Sequence, residues 1–194
     1  MPVPFAELTT PNGHKCGDAT SAMQKSIRRG LEEEALYWAS ELELQGFGNY
    51  VWKRLRLICT EDVGLGETFL AATIRALYEN WKDAKSGGNG QERIFMVHAI
   101  VLLARARKSY LVSNAFLATY FDERPPREVP DYALDMHTKA GRQMGRGFEH
   151  FFAVGGKLVD ELEIEDPYEE RAQRAMLAKE ATKRRRPRQM AIEE

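Results

Sequence analysis

The apolar residues of Glu34-Ala-Leu-Tyr-Trp-Ala-Ser-Glu-Leu42 recur at i, i+3, i+4 and i+7. This spacing puts them on one face of an α-helix, where they can pack against a core. Other segments repeat the pattern, and none shows the strict alternation of a half-buried β-strand. The sequence therefore predicts an all-α fold. The residues of this first stripe are Ala35, Trp38, Ala39 and Leu42.

Helical stripes continue on both sides of this segment. Ser21 and Gln24 have the spacing of a capping box, so we expect the first helix to begin at Ser21. The segment 91–107 is apolar on more than one face, which predicts a mostly buried helix. The other predicted helices cover 50–63, 67–81 and 109–121.

The two ends of the chain differ from the middle in composition. Proline and glycine residues in 1–17 predict an extended lead. The segment 161–194 is highly charged and has few apolar anchors, which predicts a mobile tail. We therefore expect three parts: a lead at 1–17, a helical domain at 18–160 and a charged tail at 161–194.

The bulk composition is that of an ordinary water-soluble protein. The 194 residues are 43% hydrophobic and carry a formal net charge of −1, so attraction to a polyanion must come from local patches. The most apolar run, 94–106, is interrupted by His98 and Arg105 and is too short to span a bilayer. With two cysteines and no signal-peptide pattern, the sequence predicts a cytoplasmic protein with no membrane partner.

Motifs for catalysis or cofactor binding are absent from the sequence. It contains no GxxxxGK[ST] loop for nucleotide phosphates and no GxSxG nucleophile elbow. We therefore predict no enzymatic activity, no cofactor and no metal site. One enzyme hypothesis remains, a site around His137, Arg146 and His150, and it rests only on the density of Gly, His and Arg there.

Several motifs occur in a fixed order between residues 18 and 156. They resemble the C-terminal region of the replication-associated recombination protein A family, bacterial AAA+ ATPases related to clamp loaders and to the eukaryotic Werner-helicase-interacting protein. The first three motifs are the more distinctive, and the last is a looser match. They are Ser26-Ile-Arg-Arg29 with Ala35-Leu-Tyr-Trp38, Thr60-Glu-Asp-Val-Gly-Leu65, Glu92-Arg93 with Arg107-Lys-Ser109, and Asp135-x-His-Thr138 with Gly145-x-Gly147 and Phe151.

The resemblance implies a multi-helix bundle or orthogonal helical array, similar to the clamp-loader collar and the C-terminal domain of AAA+ ATPases. It also implies assembly into a homotetramer and a link to DNA replication, recombination or repair. ATP hydrolysis is not implied, because the ATP-binding motifs do not occur in this sequence. We therefore expect a non-enzymatic oligomerisation or scaffold module, whose partners are further copies of itself and either DNA or a replication or repair protein.

Aromatic residues are the candidate contacts between subunits, since aromatic side chains dominate protein interfaces. They are equally good candidates for the core, and the sequence does not separate the two roles. The candidates are Tyr37, Trp38, Phe69, Trp81 and Phe116.

An alternative function is nucleic-acid binding by an accessory protein, chiefly through its basic tail. Phosphate contacts need only charge and reach, and a basic run on a flexible arm supplies both. A second basic group lies on the helix predicted over 50–63, for which a solvated face is the simpler interpretation. The candidates are Lys53, Arg54 and Arg56 on that helix, and Lys183, Arg184, Arg185, Arg186 and Arg188 in the tail.

Glu61 and Asp62 lie near the C-terminal end of a predicted helix, where the helix dipole disfavours carboxylates. This placement suggests a specific cationic partner, with Arg28 and Arg29 as candidates, or a functional contact. The alternative is a structural turn in which Asp62 accepts hydrogen bonds from nearby backbone N–H groups.

Overall fold

The computed structural model describes residues 3–85, 87–88 and 90–185. Within these ranges the regular structure is helical and no strand forms, so the predicted all-α fold is confirmed. An isolated bridge joins Thr9 to Lys15. The α-helices are α1 (Cys16–Arg29), α2 (Glu32–Leu42), α3 (Gly48–Ile58), α4 (Leu70–Lys85), α5 (Arg93–Arg105), α6 (Leu111–Phe121), α7 (Lys139–Gln143), α8 (Phe148–His150) and α9 (Glu169–Arg185).

The chain divides into two compact units, Met1–Arg124 and Pro125–Glu194. The predicted limits at 17/18 and 160/161 do not coincide with this division. Residues 123–130 form no regular structure, and Pro125, Pro126 and Pro130 favour an extended chain there. None of the helices in the described ranges is long and apolar enough to cross a bilayer.

Helices α1 to α5 pack around one hydrophobic core in the first unit. The stripe predicted on α2 faces this core: Ala35, Ala39 and Leu42 are buried, and Trp38 packs against them half-buried. Each large apolar side chain buried in this way stabilises the fold by about 1.5–3 kcal/mol. The largest fully buried side chains include Trp52, Met23, Ile27, Leu42, Leu55 and Ile58.

The first helix begins earlier than its capping pattern predicts. Helix α1 starts at Cys16, so Ser21 lies inside it and the expected capping box is wrong. The backbone N–H of Cys16 donates to the carbonyl of Leu8 at 2.7 Å, and Leu8 itself packs against the core. Tertiary contacts of the preceding segment therefore fix the start of the helix.

The second unit contains the short helices α7 and α8 and the longer α9, with α8 and α9 in contact. The Asp135-x-His-Thr138 motif forms the turn that starts α7. The Asp135 carboxylate accepts from the backbone N–H of His137 at 2.8 Å, and the Thr138 hydroxyl accepts from the N–H of Gly141 at 2.9 Å. Both contacts satisfy backbone groups, so the motif has a clear structural role here.

Candidate assembly surface

Helix α6 is apolar around its circumference and exposed along its length. None of its residues is buried in this chain, although most of them are hydrophobic. A helix that is hydrophobic on all sides normally lies inside a protein. The exposed apolar surface of α6 is therefore a candidate site for contact with another molecule.

Aromatic side chains form a cluster on the second half of α6. The ring of Phe116 lies 5.3 Å from that of Tyr120 and 5.7 Å from that of Phe121. These three side chains are 52%, 69% and 74% exposed, respectively. No charged residue occurs in 111–121, so a second apolar surface can cover this helix without burying an unpaired charge.

The turn between α3 and α4 holds the chain segment that leads into α6. The N–H of Ser109 donates to the carbonyl of Asp62 at 3.0 Å. Gly66 approaches the backbone so closely that a Cβ atom there would overlap the carbonyl oxygen of Arg107. The motifs Thr60–Leu65 and Arg107–Ser109, which lie far apart in sequence, therefore pack against each other at the start of α6.

Asp62 is the centre of a polar network beneath this turn. Its side chain is buried, and Oδ1 lies 2.9 Å from Nε of Arg28. Gln24 donates to Oδ2 of Asp62 at 3.3 Å and to the neighbouring carboxylate of Glu61 at 3.0 Å. The predicted cationic partner is thus Arg28, whereas Arg29 donates to the carbonyl of Lys25 instead.

Arg28 also reaches the residue that precedes α6. Its guanidinium carbon lies 5.5 Å from the ring centroid of Tyr110, within range of a cation–π interaction. Arg28 therefore contacts both the Asp62 turn and the beginning of α6, and it links the position of α6 to α1.

Lys108 caps the C-terminal end of α5 close to Asp62. Its ammonium donates to the carbonyls of Leu103, Ala104 and Ala106 at 2.9, 3.0 and 2.5 Å. These carbonyls lie at or just past the helix end, where a cation is favourable. Burial lowers the pKa of Lys108, and the nearby Asp62 charge opposes this shift.

The aromatic interface candidates fall into two groups. Trp81 is 2% exposed and belongs to the core, and Trp38 packs half-buried beside the core. Phe69 is 86% exposed, Phe116 is 52% exposed and Tyr37 is 42% exposed. Of these five residues, only the last three offer a substantial apolar surface in the monomer.

Phe69 stands beside an open groove separate from the aromatic cluster of α6. The groove has a volume of about 360 Å³, and its lining includes Leu70, Leu102 and Ala106. The first unit therefore has a second exposed apolar feature besides α6.

The basic candidates on α3 have different surroundings. Lys53 is exposed, whereas Arg54 is half-buried and donates to the side-chain oxygen of Gln24. Arg56 is half-buried, and its guanidinium lies over the ring of Tyr78 on α4. The three side chains therefore do not form one solvated face.

In the basic tail, Lys183 is exposed near the end of α9. The side chains of Arg184 and Arg185 lie outside the described part of the structure, as do residues Arg186 and Arg188.

The residues of the enzyme hypothesis make mainly structural contacts. Nδ1 of His137 lies 2.9 Å from Asp135, and Arg146 donates to the backbone carbonyls of Asp131 and Leu134. The hydrogen bond from His137 is the main reason that the pKa of Asp135 lies below its ordinary value. These contacts use both side chains to stabilise local turns.

Arg146 and His150 line one cavity of about 390 Å³, but His137 does not line it. The structure thus brings two of the three residues of the hypothesis together. Within the described ranges, no group of three His, Cys, Asp or Glu side chains is arranged to hold a metal ion.

The sequence did not predict that most of α6 is exposed, because apolar residues in a helix normally indicate burial. Of its residues, only Phe116 was among the interface candidates. The signal available was the complete absence of charge from 111–121 in a chain that is 29% charged. Sequence reasoning also missed the cations of α4, of which Arg75 and Lys82 are spaced at i and i+7, on one side of the helix.

The model of the family described as MgsA AAA+ ATPase C terminal matches residues 32–179. The match covers well over half of the chain, so the chain belongs to this family. The family resemblance predicted from the sequence motifs is confirmed.

Curated relatives are named Replication-associated recombination protein A. The protein of Escherichia coli K12 is 33% identical over 144 residues, which cover 73% of this chain and 32% of the relative. That of Haemophilus influenzae is 31% identical over 147 residues (73% and 32%), and that of Bacillus subtilis is 28% identical over 135 residues (69% and 31%). The chain spans about a third of the length of these relatives.

Proposed function

We propose that this chain is a non-enzymatic oligomerisation module that works in DNA replication and recombination. The observation that carries the proposal is the exposed, uncharged helix α6. The link to replication and recombination comes from the names of the relatives, which align with this chain over about a third of their length.

A second copy of this chain is the partner that best fits α6. Interfaces between identical subunits are more apolar than transient ones and resemble a core divided in two. Two α6 helices can pack together through Phe116, Tyr120 and Phe121 without burying a charge, since the helix carries none. A partner with a charged binding surface would find no complementary charge on this helix.

A homotetramer is the assembly that we favour. A tetramer with dihedral symmetry uses more than one kind of two-fold interface. Among the exposed apolar features of the described part of the first unit are α6 and the groove beside Phe69. We assign one interface to each of them, with the Asp62 turn keeping α6 in position.

Light scattering coupled to gel filtration, at several protein concentrations, tests this proposal. We expect the mass of four copies for the wild type, and a smaller mass for Leu117→Asp on α6, because the new carboxylate would be buried unpaired. The matched control is Leu162→Asp, since Leu162 is 76% exposed and lies in the second unit. We expect it to leave the mass unchanged.

Two outcomes would contradict the assembly role. One is a monomeric wild type at every concentration. The other is a Leu117→Asp variant that melts cooperatively and still has the mass of the wild type.

A further inference from the structure

The ring of Tyr78 on α4 is surrounded by cationic groups from two helices. The guanidinium carbon of Arg56 lies 4.4 Å from the ring centroid, that of Arg75 lies 6.0 Å away, and Nζ of Lys82 lies 5.0 Å away. Arg56 comes from α3 and the other two from α4. Packing of these two helices therefore creates a concentration of positive charge that neither helix has alone.

The same surface continues toward the end of α4. Nζ of Lys85 lies 4.8 Å from the ring centroid of Trp81, and the Trp81 ring is stacked near that of Tyr78 at 6.0 Å. From Arg75 to Lys85 the helix advances by about 15 Å, which exceeds the rise between neighbouring phosphates of a strand several-fold. The cations are therefore spread widely enough to contact more than one phosphate.

Few carboxylates balance these cations. Glu79 pairs with Arg75 at 2.6 Å and with Lys82, and Asp83 is the other acidic residue of α4. The hydrogen bond from Lys82, followed by the charges of Arg75, Lys82 and Arg56, keeps the pKa of Glu79 below its ordinary value despite partial burial. The four cations outnumber the two carboxylates that α3 and α4 carry, so these helices have a positive excess in a chain whose net charge is −1.

We propose that Arg56, Arg75, Lys82 and Lys85 form a binding site for the phosphate backbone of a nucleic-acid strand. This set is called the Tyr78 patch below. Arg75 is 63% exposed and Lys82 is 42% exposed, so both can reach a ligand in solvent. Multiple phosphates are the ligand that matches several fixed cations on one helical surface.

The aromatic rings beneath the Tyr78 patch, those of Tyr78 and Trp81, limit how the patch recognises a strand. Tyr78 is half-buried with cations around its ring, and Trp81 is 2% exposed. Neither ring is free to stack on an unpaired base, as single-strand binding proteins use their aromatic residues. Binding at the Tyr78 patch therefore depends on charge, is indifferent to base sequence and weakens as salt is raised.

The test is fluorescence anisotropy of a labelled single-stranded oligonucleotide of about 16 nucleotides, titrated with the full chain between about 50 and 200 mM salt. The test variant is Arg75→Gln/Lys82→Gln/Lys85→Gln. Each lost phosphate contact lowers the slope of log K against log salt by about 0.7. We expect the slope to fall by about 2 and the affinity at low salt to fall by at least about tenfold.

The matched control changes the same charges on α9, as Arg171→Gln/Arg174→Gln/Lys179→Gln. All three side chains are exposed, and Arg171 lies over a tyrosine ring as Arg75 and Lys82 do. We expect the control to retain most of the affinity and the wild-type slope. Removal of residues 183–194 tests the basic tail separately.

The triple variant could fail to fold, so the test also includes a variant that is expected to bind the oligonucleotide more tightly than the wild type. Glu79→Gln removes the carboxylate between Arg75 and Lys82, so we expect it to bind the oligonucleotide more tightly. Light scattering of the same variants shows whether assembly is intact, which separates this proposal from the assembly proposal.

Three results would overturn the proposed site. The triple variant could fold and bind with the wild-type slope. The α9 control could lose as much affinity as the test variant, or removal of residues 183–194 could abolish all binding. If a polyglutamate peptide bound with the same affinity as the oligonucleotide, the ligand of the site would be any polyanion and not nucleic acid in particular, which would also overturn the proposal.

Discussion

Nε of Arg28 on α1 lies 2.9 Å from Oδ1 of Asp62, a buried carboxylate in the turn that follows α3. The same arginine lies over the ring of Tyr110, the residue that precedes α6. One ion pair therefore connects the helical core of the first unit with the segment that presents α6. We infer that the contact orients the assembly surface as well as stabilising the fold.

Arg28→Ala should destabilise the protein by about 2–3 kcal/mol, because it leaves the Asp62 carboxylate buried without its cation. Arg29→Ala is the matched control, since Arg29 is exposed and its side chain donates to a backbone carbonyl one turn away. We expect the control to change the free energy of unfolding by less than about 0.5 kcal/mol. Urea unfolding of both variants measures the difference, and equal values would argue against the role of the ion pair.

Gly66→Ala should destabilise the protein by about 2–3 kcal/mol, because the added methyl group would overlap the carbonyl of Arg107 and force the turn away from it. Gly87→Ala is the control, since a Cβ atom there would lie 3.3 Å from the carbonyl oxygen of Ala84, so an exposed turn has to shift by only a few tenths of an ångström. Thermal melting compares the two. A Gly66→Ala variant as stable as the control would show that the two segments separate readily.

Trp81→Ala should lower the stability of the fold, whereas Phe69→Ala should weaken assembly and leave stability nearly unchanged. Trp81 is 2% exposed, so its truncation should cost about 3–5 kcal/mol. Phe69 is 86% exposed, so its truncation should change monomer stability by less than about 0.5 kcal/mol and weaken subunit association. Denaturant unfolding and light scattering are the two measurements. A Phe69→Ala variant that assembles normally would remove this residue from the interface.

Thr10→Val should lower stability most at neutral pH and least in acid. The hydroxyl of Thr10 donates to Glu41 at 2.6 Å and is the main reason that the pKa of this buried carboxyl lies below its ordinary value of 4.5. The stability gained from a lowered pKa is fully present when the pH is above the pKa of the carboxyl in the unfolded chain. It is lost as the pH falls through the lower pKa of the carboxyl in the folded protein. The melting temperatures of wild type and Thr10→Val should therefore converge as the pH falls below about 4.5.

Thr73→Val provides the control for the pH experiment, because Thr73 is exposed and its hydroxyl donates to the backbone carbonyl of Phe69, which does not titrate. The gap between this variant and the wild type should be small at every pH. A constant gap for Thr10→Val across the acid range would show that the hydrogen bond does not act through the ionisation of Glu41.

Local information in the sequence was sufficient for the helical fold, for most helix faces and for the family. Ala35, Ala39 and Leu42 face the core as their spacing predicts, because helix periodicity depends only on neighbouring residues. The sequence also offered Arg28 and Arg29 as partners for Asp62, because the helix dipole disfavours a carboxylate near the C-terminal end of a helix. These features follow from residue type and spacing, which are properties of the chain before it folds.

The tertiary structure decided which aromatic residues are exposed and where the cations meet. Phe69 and Trp81 lie in one predicted helix, 67–81, yet Phe69 is exposed and Trp81 is in the core. Arg56 and Lys82 share the ring of Tyr78 only because α3 packs against α4. Sequence spacing places a side chain on its own helix, but contacts between helices depend on how the helices pack, and this packing determines both the exposed surface of α6 and the Tyr78 patch.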